Sequence, residues 1–382
     1  MSSSAKSGAR MLSLGTALPE RVVSNKDLEE MVNTSHDWIV ERSGIHERRV
    51  GGSTAGLAAD AGKIAIERGG IDPSSIDLLI LATTSPDRQV PATASTVQEL
   101  LGLHCGAMDL NAACSGFVYG LIAAHGFIQM GHNRILVIGS ETLSRITDWT
   151  DRSTCILFAD GAGAAVVERT EGRGDLHGWH VDSNGALEEA LFCDFDGKIQ
   201  MNGHAIFKNA VLAMENAAQK SLSMANLTPD DIDLVVPHQA NVRIVEASCK
   251  RLGIPYEKTS MVIHRTGNTS SASIPLALED AWAEGRVSKG DNILLVGFGA
   301  GMTSAAAVIT WDGVCLKLEQ CSSLAAIGES ALPPPNDSRI KGTGLPSLRG
   351  TQVTSIAEFW QYPATRQTQM RSTALIKLSS LS

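Results

Sequence analysis

The hydrophobic positions of this chain fall into two kinds of segment. Ile76-Asp-Leu-Leu-Ile-Leu-Ala82 and Arg134-Ile-Leu-Val-Ile-Gly139 are nearly unbroken apolar runs of strand length, the mark of parallel strands buried on both faces. Residues 55–68 place apolar side chains at helical spacing instead, and the run that follows Cys114 reads as a buried helix. Met11-Leu-Ser-Leu-Gly predicts an opening strand, with residues 1–10 as a disordered lead-in. Ser24-Asn-Lys-Asp-Leu has the residues of a capped helix start, and Thr34-Ser-His-Asp-Trp-Ile-Val-Glu-Arg predicts a short helix carrying Trp38 and Arg42. Strands alternating with helices make an α/β fold.

The pattern occurs twice. Ile71-Asp-Pro-Ser-Ser-Ile-Asp-Leu-Leu-Ile-Leu-Ala is echoed by Leu227-Thr-Pro-Asp-Asp-Ile-Asp-Leu-Val-Val-Pro-His, with Ile76 against Ile232 at an offset of 156. Asn133-Arg-Ile-Leu-Val-Ile-Gly is echoed by Asp291-Asn-Ile-Leu-Leu-Val-Gly, with Gly139 against Gly297 at an offset of 158. Two near-equal offsets imply two copies of one unit, at 11–170 and 178–312, each a layer of βαβ type around a mostly parallel sheet. Beyond Trp311 the periodicity stops. Residues 313–382 contain Pro333-Pro-Pro, many Ser and Thr, and seven basic against four acidic residues, which reads as a disordered tail.

Composition narrows the class. A formal net charge of -9 argues against general nucleic-acid binding. The seven cysteines (105, 114, 155, 193, 249, 315, 321) are dispersed and form no C-x-x-C pair, so reduced thiols fit better than disulfides or a metal site. Met1-Ser-Ser-Ser-Ala-Lys lacks the apolar core of a signal peptide, and no run is long enough to cross a bilayer. The expectation is a cytoplasmic protein without a membrane association.

Within Asp109-Leu-Asn-Ala-Ala-Cys-Ser-Gly-Phe-Val-Tyr-Gly120, Cys114 stands among small residues just before the buried helix. The unpaired N–H groups and macrodipole at a helix N-terminus lower a thiol's pKa, so the position predicts a nucleophile. The plainer reading is a small buried hydrophobe. Counting 156 to 158 residues onward reaches Ser270 to Ala272, beside Gly267-Asn268, another small-residue turn entering a helix. His238 stands just past the strand end in the second copy, where Ala82 stands in the first. Sites of open α/β sheets lie beyond strand carboxyl ends, so the duplication predicts that Cys114, His238 and Asn268 converge between the copies. Taken singly, a lone histidine is usually structural, and Asn after Gly usually a turn or cap.

Asn111-Ala-Ala-Cys-Ser-Gly-Phe, Val236-Pro-His-Gln-Ala-Asn-Val-Arg-Ile and Gly267-Asn-Thr-Ser-Ser-Ala-Ser-Ile-Pro-Leu-Ala-Leu closely resemble the β-ketoacyl-[acyl-carrier-protein] synthase III family. Residues 34–45 and Asp151-Arg-Ser-Thr-Cys-Ile-Leu-Phe-Ala-Asp-Gly-Ala-Gly also match its pattern, and the likeness runs from about residue 11 to 311. It implies the thiolase-like fold, two α/β halves layered α-β-α-β-α, a homodimer, and the first condensation of fatty-acid synthesis. By this resemblance Cys114 takes an acyl group from acetyl-CoA or another short acyl-CoA. His238 and Asn268 then hold the enolate made when malonyl-acyl carrier protein loses CO2. Main-chain N–H groups at Cys114 and Ala300 form a second oxyanion site, with Ala300 where the family commonly has glycine.

The same matching assigns Trp38, Arg42 and Arg152 to CoA, and Gln239, Ala240, Asn241, Val242 and Arg243 to the carrier protein. Val90 belongs to a loop that in this family reaches the acyl pocket of the second subunit, and a valine there leaves room for branched or longer primers. No metal or cofactor is implied; acyl-CoA is a substrate. A secondary-metabolite acyltransferase on the same fold is the rival reading. Asp160-Gly-Ala-Gly-Ala-Ala invites comparison with a phosphate loop, but it lacks a third glycine and leads into Val166-Val167, so it reads as a tight strand entry.

Overall fold

The computed structural model describes residues 7–313. The expected tail from residue 314 onward, and residues 1–6 of the expected lead-in, lie outside the described residues. The first copy contributes strands β1 (Ser7–Ala17), β2 (Leu78–Ala82), β3 (Gly106–Leu110), β4 (Arg134–Thr142) and β5 (Asp160–Glu171). The second contributes β6 (Leu176–Ser183), β7 (Leu234–Pro237), β8 (Asn292–Phe298) and β9 (Thr303–Thr310). Residues 7–10 are therefore strand, not lead-in: Ser7 pairs with Glu171 and Arg10 with Glu168 across an antiparallel ladder. The small side chains of Ser7, Gly8 and Ala9 hid this. A Cβ on Gly8 would come within 2.2 Å of the Gly174 nitrogen, so the strand runs against backbone where an apolar side chain has no room.

The first sheet has the order β1-β5-β4-β2-β3 and the second β7-β8-β9-β6. Strand β2 is parallel to β3 and β4, and β7 to β8, but β4–β5, β5–β1, β8–β9 and β9–β6 are antiparallel. Both sheets are thus mixed rather than mostly parallel. In the second sheet the reason is local: β8 passes to β9 through residues 299–302, a connection too short for anything but an antiparallel neighbour.

Side chains alternate across each strand, and both faces are covered. Ile80, Ile135 and Val137 face inward, while Leu79, Leu81, Leu136 and Ile138 face outward onto α2 (Thr54–Gly69) and α3 (Thr93–Leu100); a short helix, α1 (His36–Ser43), precedes them and is capped by Ser35. Between the two sheets lie α4 (Gly116–Gln129) and α7 (Ser273–Ala283). Phe117, Leu121, Ile274 and Leu278 of these helices share one core with Val236 and Leu295 of the second sheet. The outer face of the second sheet is covered by α5 (Gly203–Ala225) and α6 (Val242–Leu252). The layers run α-β-α-β-α.

The internal repeat extends to backbone detail. Short 3-10 turns, Ala113–Ser115 in the first copy and Ser270–Ala272 in the second, lie 157 residues apart. Asp160 opens β5 and its buried carboxylate accepts from Gly51 N–H and Ser144 N–H, a tight strand entry. Among the described residues no helix is long and apolar enough to cross a membrane.

Candidate active site

Cys114 sits in the 3-10 turn between β3 and α4, and Thr303 of the second copy fastens that turn by donating to Ala112 O at 2.9 Å. The backbone of Gly299 passes so close that a Cβ there would lie 2.6 Å from Cys114 N. His238 follows β7; its N–H donates to Val296 O and its ring meets Phe298 edge-on at 5.5 Å. Asn268 is held by main chain on both sides, donating to Leu157 O and accepting from Ala159 N–H, each at 2.9 Å. Its side-chain oxygen accepts from Ser270 N–H at 2.9 Å, which leaves the amide nitrogen as a donor with no partner among the described residues.

Cys114, His238 and Asn268 line one cavity of about 110 Å³. The predicted convergence is therefore present, built from both copies. All three residues are buried. Burial pushes the Cys114 thiol up to about 12, with Glu141 adding to the rise and a Ser270 hydrogen bond opposing it. Desolvation thus works against the lowering expected from the helix terminus. Burial likewise pushes His238 down to about 3, so its imidazole is neutral.

Two larger spaces adjoin. One of about 390 Å³ shares Cys114, Phe158 and Leu191 with the central cavity and is mainly apolar, with Leu143, Ile146, Phe192 and Ile199 on its walls and Thr84, Asn111, Ser270 and Thr303 as its polar lining; Ala300 and Cys193 also line it. The other, about 480 Å³, shares Leu157, Met201 and Phe207 with the central cavity and carries Trp38, Arg42 and Arg243 at the surface. Among the described residues, neither Cys114 N–H nor Ala300 N–H is taken by a backbone carbonyl.

Residues 108–185 match the family model for 3-oxoacyl-[acyl-carrier-protein] synthase III, and residues 222–311 the model for its C-terminal part. The chain is 45% identical over 307 residues to β-ketoacyl-[acyl-carrier-protein] synthase III 1 of Bacillus cereus, covering 79% of this chain and 98% of the relative. It belongs to the β-ketoacyl-[acyl-carrier-protein] synthase III family. The crystal structure of the Aquifex aeolicus 3-oxoacyl-[acyl-carrier-protein] synthase III matches with a TM-score of 0.78 at 44% identity, over 80% of this chain and 100% of that one. A priming β-ketosynthase from the R1128 polyketide pathway is more distant, at 33% identity and a TM-score of 0.75 over 80% of this chain and 97% of that one. As a member of this synthase III family, the protein is a condensing acyltransferase.

The remaining predicted residues divide. Trp38, Arg42 and Arg152 come together: the Arg152 and Arg42 guanidinium carbons lie 4.7 and 5.4 Å from the Trp38 ring centre. Of the five residues assigned to the carrier protein, only Arg243 is exposed. Gln239 is a correction, because its amide is fully buried and spent on structure. It donates to Pro237 O and Ser260 O and accepts from Val262 N–H and Ile263 N–H. Ala240 is also buried and lines the central cavity. Asn241 caps α6 and donates to Arg42 O, with Val242 half-buried behind it. Val90 lines none of its own chain's cavities described above and is 80% exposed.

Several site residues escaped the sequence reading. Leu191, Phe192 and Met201 lie in two paired two-residue strands, Leu191–Phe192 and Gln200–Met201, with Cys193 in the loop between them, segments too short to show a period. Glu141 is buried and accepts from Thr84 N–H, Ser85 Oγ and Ser271 Oγ, so a carboxylate beneath the site looked like one more strand residue.

Proposed function

We propose that this enzyme condenses a short acyl-CoA of the acetyl-CoA type with malonyl-acyl carrier protein, giving 3-ketoacyl-acyl carrier protein and initiating fatty-acid synthesis. The observation that carries the reading is the one cavity shared by the buried Cys114, His238 and Asn268, set between a mainly apolar pocket and a mouth bearing Trp38, Arg42 and Arg243.

Cys114 sulfur attacks the thioester carbonyl of the acyl-CoA. The C–S bond to CoA breaks, and CoA leaves as its thiol with the proton given up by Cys114. The Cys114 and Ala300 N–H groups stabilise the oxyanion. The acyl chain then lies in the apolar pocket, while Trp38, Arg42 and Arg152 hold the nucleotide end of CoA. In the second half, malonyl-acyl carrier protein docks beside Arg243. Its carboxylate leaves as CO2, the electron pair moves to the thioester oxygen, and His238 and Asn268 donate to that oxygen. The enolate carbon forms the new C–C bond, the bond to Cys114 sulfur breaks, and the departing thiolate takes up one proton from water to return the free enzyme. A preorganised donor of this kind is typically worth about 3 kcal/mol. These steps use side-chain and main-chain groups, with no cofactor. The enzyme works as a cytoplasmic homodimer, and the exposed Val90 is what a second copy offers to the acyl pocket.

The test is incubation with an acyl-CoA panel, mass detection of the adduct on Cys114, then addition of malonyl-acyl carrier protein with CO2 measured. Absence of any adduct would sink the reading; adduct without CO2 would point to an acyltransferase with a different acceptor. His238→Ala is expected to keep self-acylation and lose CO2 release.

A further inference from the structure

His238 Nδ1 lies 2.7 Å from Ser273 Oγ, the first residue of α7, in a fully buried contact. We propose that Ser273 is a positioning residue that fixes His238 as the tautomer protonated on Nε2. The proposal rests on the reading of His238 as a donor to the enolate oxygen. Ser273 Oγ already accepts from Gln239 N–H at 3.4 Å, and its own hydrogen needs an acceptor. Among the described residues the partner for that hydrogen is His238 Nδ1. With Nδ1 accepting, the ring's proton sits on Nε2. The opposite tautomer would leave the buried serine hydroxyl without an acceptor, a loss that biases the equilibrium by about ten- to a hundredfold. It would also turn the Nε2 lone pair, rather than a proton, to the substrate.

The internal repeat supplies a comparison. At the matching offsets, 156 and 157, His238 corresponds to Ala82 and Ser273 to Gly116. A Cβ on Gly116 would lie 3.0 Å from the Ala82 Cβ, so the first copy has a tight apolar contact where the second has a histidine and its hydroxyl. The polar pair exists only in the copy whose histidine faces the central cavity.

The experiment uses the full-length enzyme labelled with 15N-histidine, the His238 signals being assigned by their loss in His238→Gln. In the wild type Nε2 is expected to carry the proton and Nδ1 to show the shift of an unprotonated, hydrogen-bonded nitrogen. A protonated Nδ1 would overturn the proposal without any variant having to fold. In Ser273→Ala, CO2 release from the acylated enzyme and malonyl-acyl carrier protein should fall about ten- to a hundredfold, with self-acylation changed less than about threefold and Ser273→Thr restoring most of the rate. Unchanged CO2 release, or equal loss of both half-reactions, would also overturn it. Failure of every acyl-CoA to modify wild-type Cys114 would instead remove the functional reading and leave the tautomer measurement standing.

Discussion

Ala113 and Ser270, 157 residues apart, hold almost the same left-handed backbone, with φ of 49° and 48°. Each lies two residues after an asparagine whose side-chain oxygen accepts its N–H: Asn111 for Ala113 at 3.2 Å, Asn268 for Ser270 at 2.9 Å. The duplicated turn thus presents Cys114 from one copy and frees the Asn268 amide from the other. Neither position is glycine, so the asparagine bond is what holds an unfavourable backbone in place.

A β-branched residue at Ala113 should not be tolerated. Ala113→Val is expected to lower stability by about 1–3 kcal/mol and to slow acylation, while Ala113→Gly stays within about 1 kcal/mol of the wild type. Urea titrations of the two variants, with adduct formation on Cys114, decide it. Equal stability of the valine and glycine forms would refute strain at this turn.

The protonation states set a pH signature. With the thiol near 12, alkylation of Cys114 by iodoacetamide should rise about tenfold per pH unit between pH 7 and 9, without levelling. A plateau near pH 7 would mean a resting thiolate after all. With His238 near 3, CO2 release from pre-acylated enzyme should show no loss attributable to imidazole protonation between pH 5.5 and 8. A fall centred near pH 6.5 would place His238 in water rather than in a dry cavity.

The repeat explains why so much of the site was legible. Strand runs such as Leu78–Ala82 and their echo carried the register, and the register carried Asn268 and His238 to the same place as Cys114. Three things were not legible, each for a physical reason. The antiparallel strands β5 and β9 are apolar on both faces like their parallel neighbours, so composition does not reveal direction. The state of the Cys114 thiol depends on desolvation by residues distant in sequence. The fate of Gln239 depends on four backbone groups of Pro237, Ser260, Val262 and Ile263, and a polar residue beside a catalytic histidine looks the same whether it faces a partner or the core.

That last correction can be tested by contrast. Gln239→Ala leaves buried backbone groups without partners and should cost at least about 2 kcal/mol of stability, whatever it does to catalysis. Arg243→Glu, at an exposed position, should leave the urea midpoint nearly unchanged. It should weaken the response to malonyl-acyl carrier protein, with the deficit shrinking as salt is raised. A Gln239→Ala protein of wild-type stability and reduced carrier-protein affinity would return Gln239 to the docking surface.

Asp175, in the connection between β5 and β6, offers a test of the fold's electrostatics away from the active site. Its Oδ2 accepts from Met11 N–H at 2.6 Å, and its Oδ1 lies 3.4 Å from His125 Nε2. Burial raises its carboxyl to about 7, against a lowering by the Met11 N–H, and burial lowers His125 to about 4. Because the folded value lies above the unfolded one, the folded state holds the proton more tightly between about pH 4 and 7. The stabilisation is complete below pH 4 and is lost as pH rises through 7. Asp175→Asn has no such proton to lose, whereas the His125 contribution, which weakens stability as pH falls below about 6.5, is common to both proteins. Relative to the wild type, Asp175→Asn should therefore gain about 2 kcal/mol more at pH 8 than at pH 5 in urea unfolding. An equal difference at the two pH values would show that Asp175 ionises freely in the folded protein.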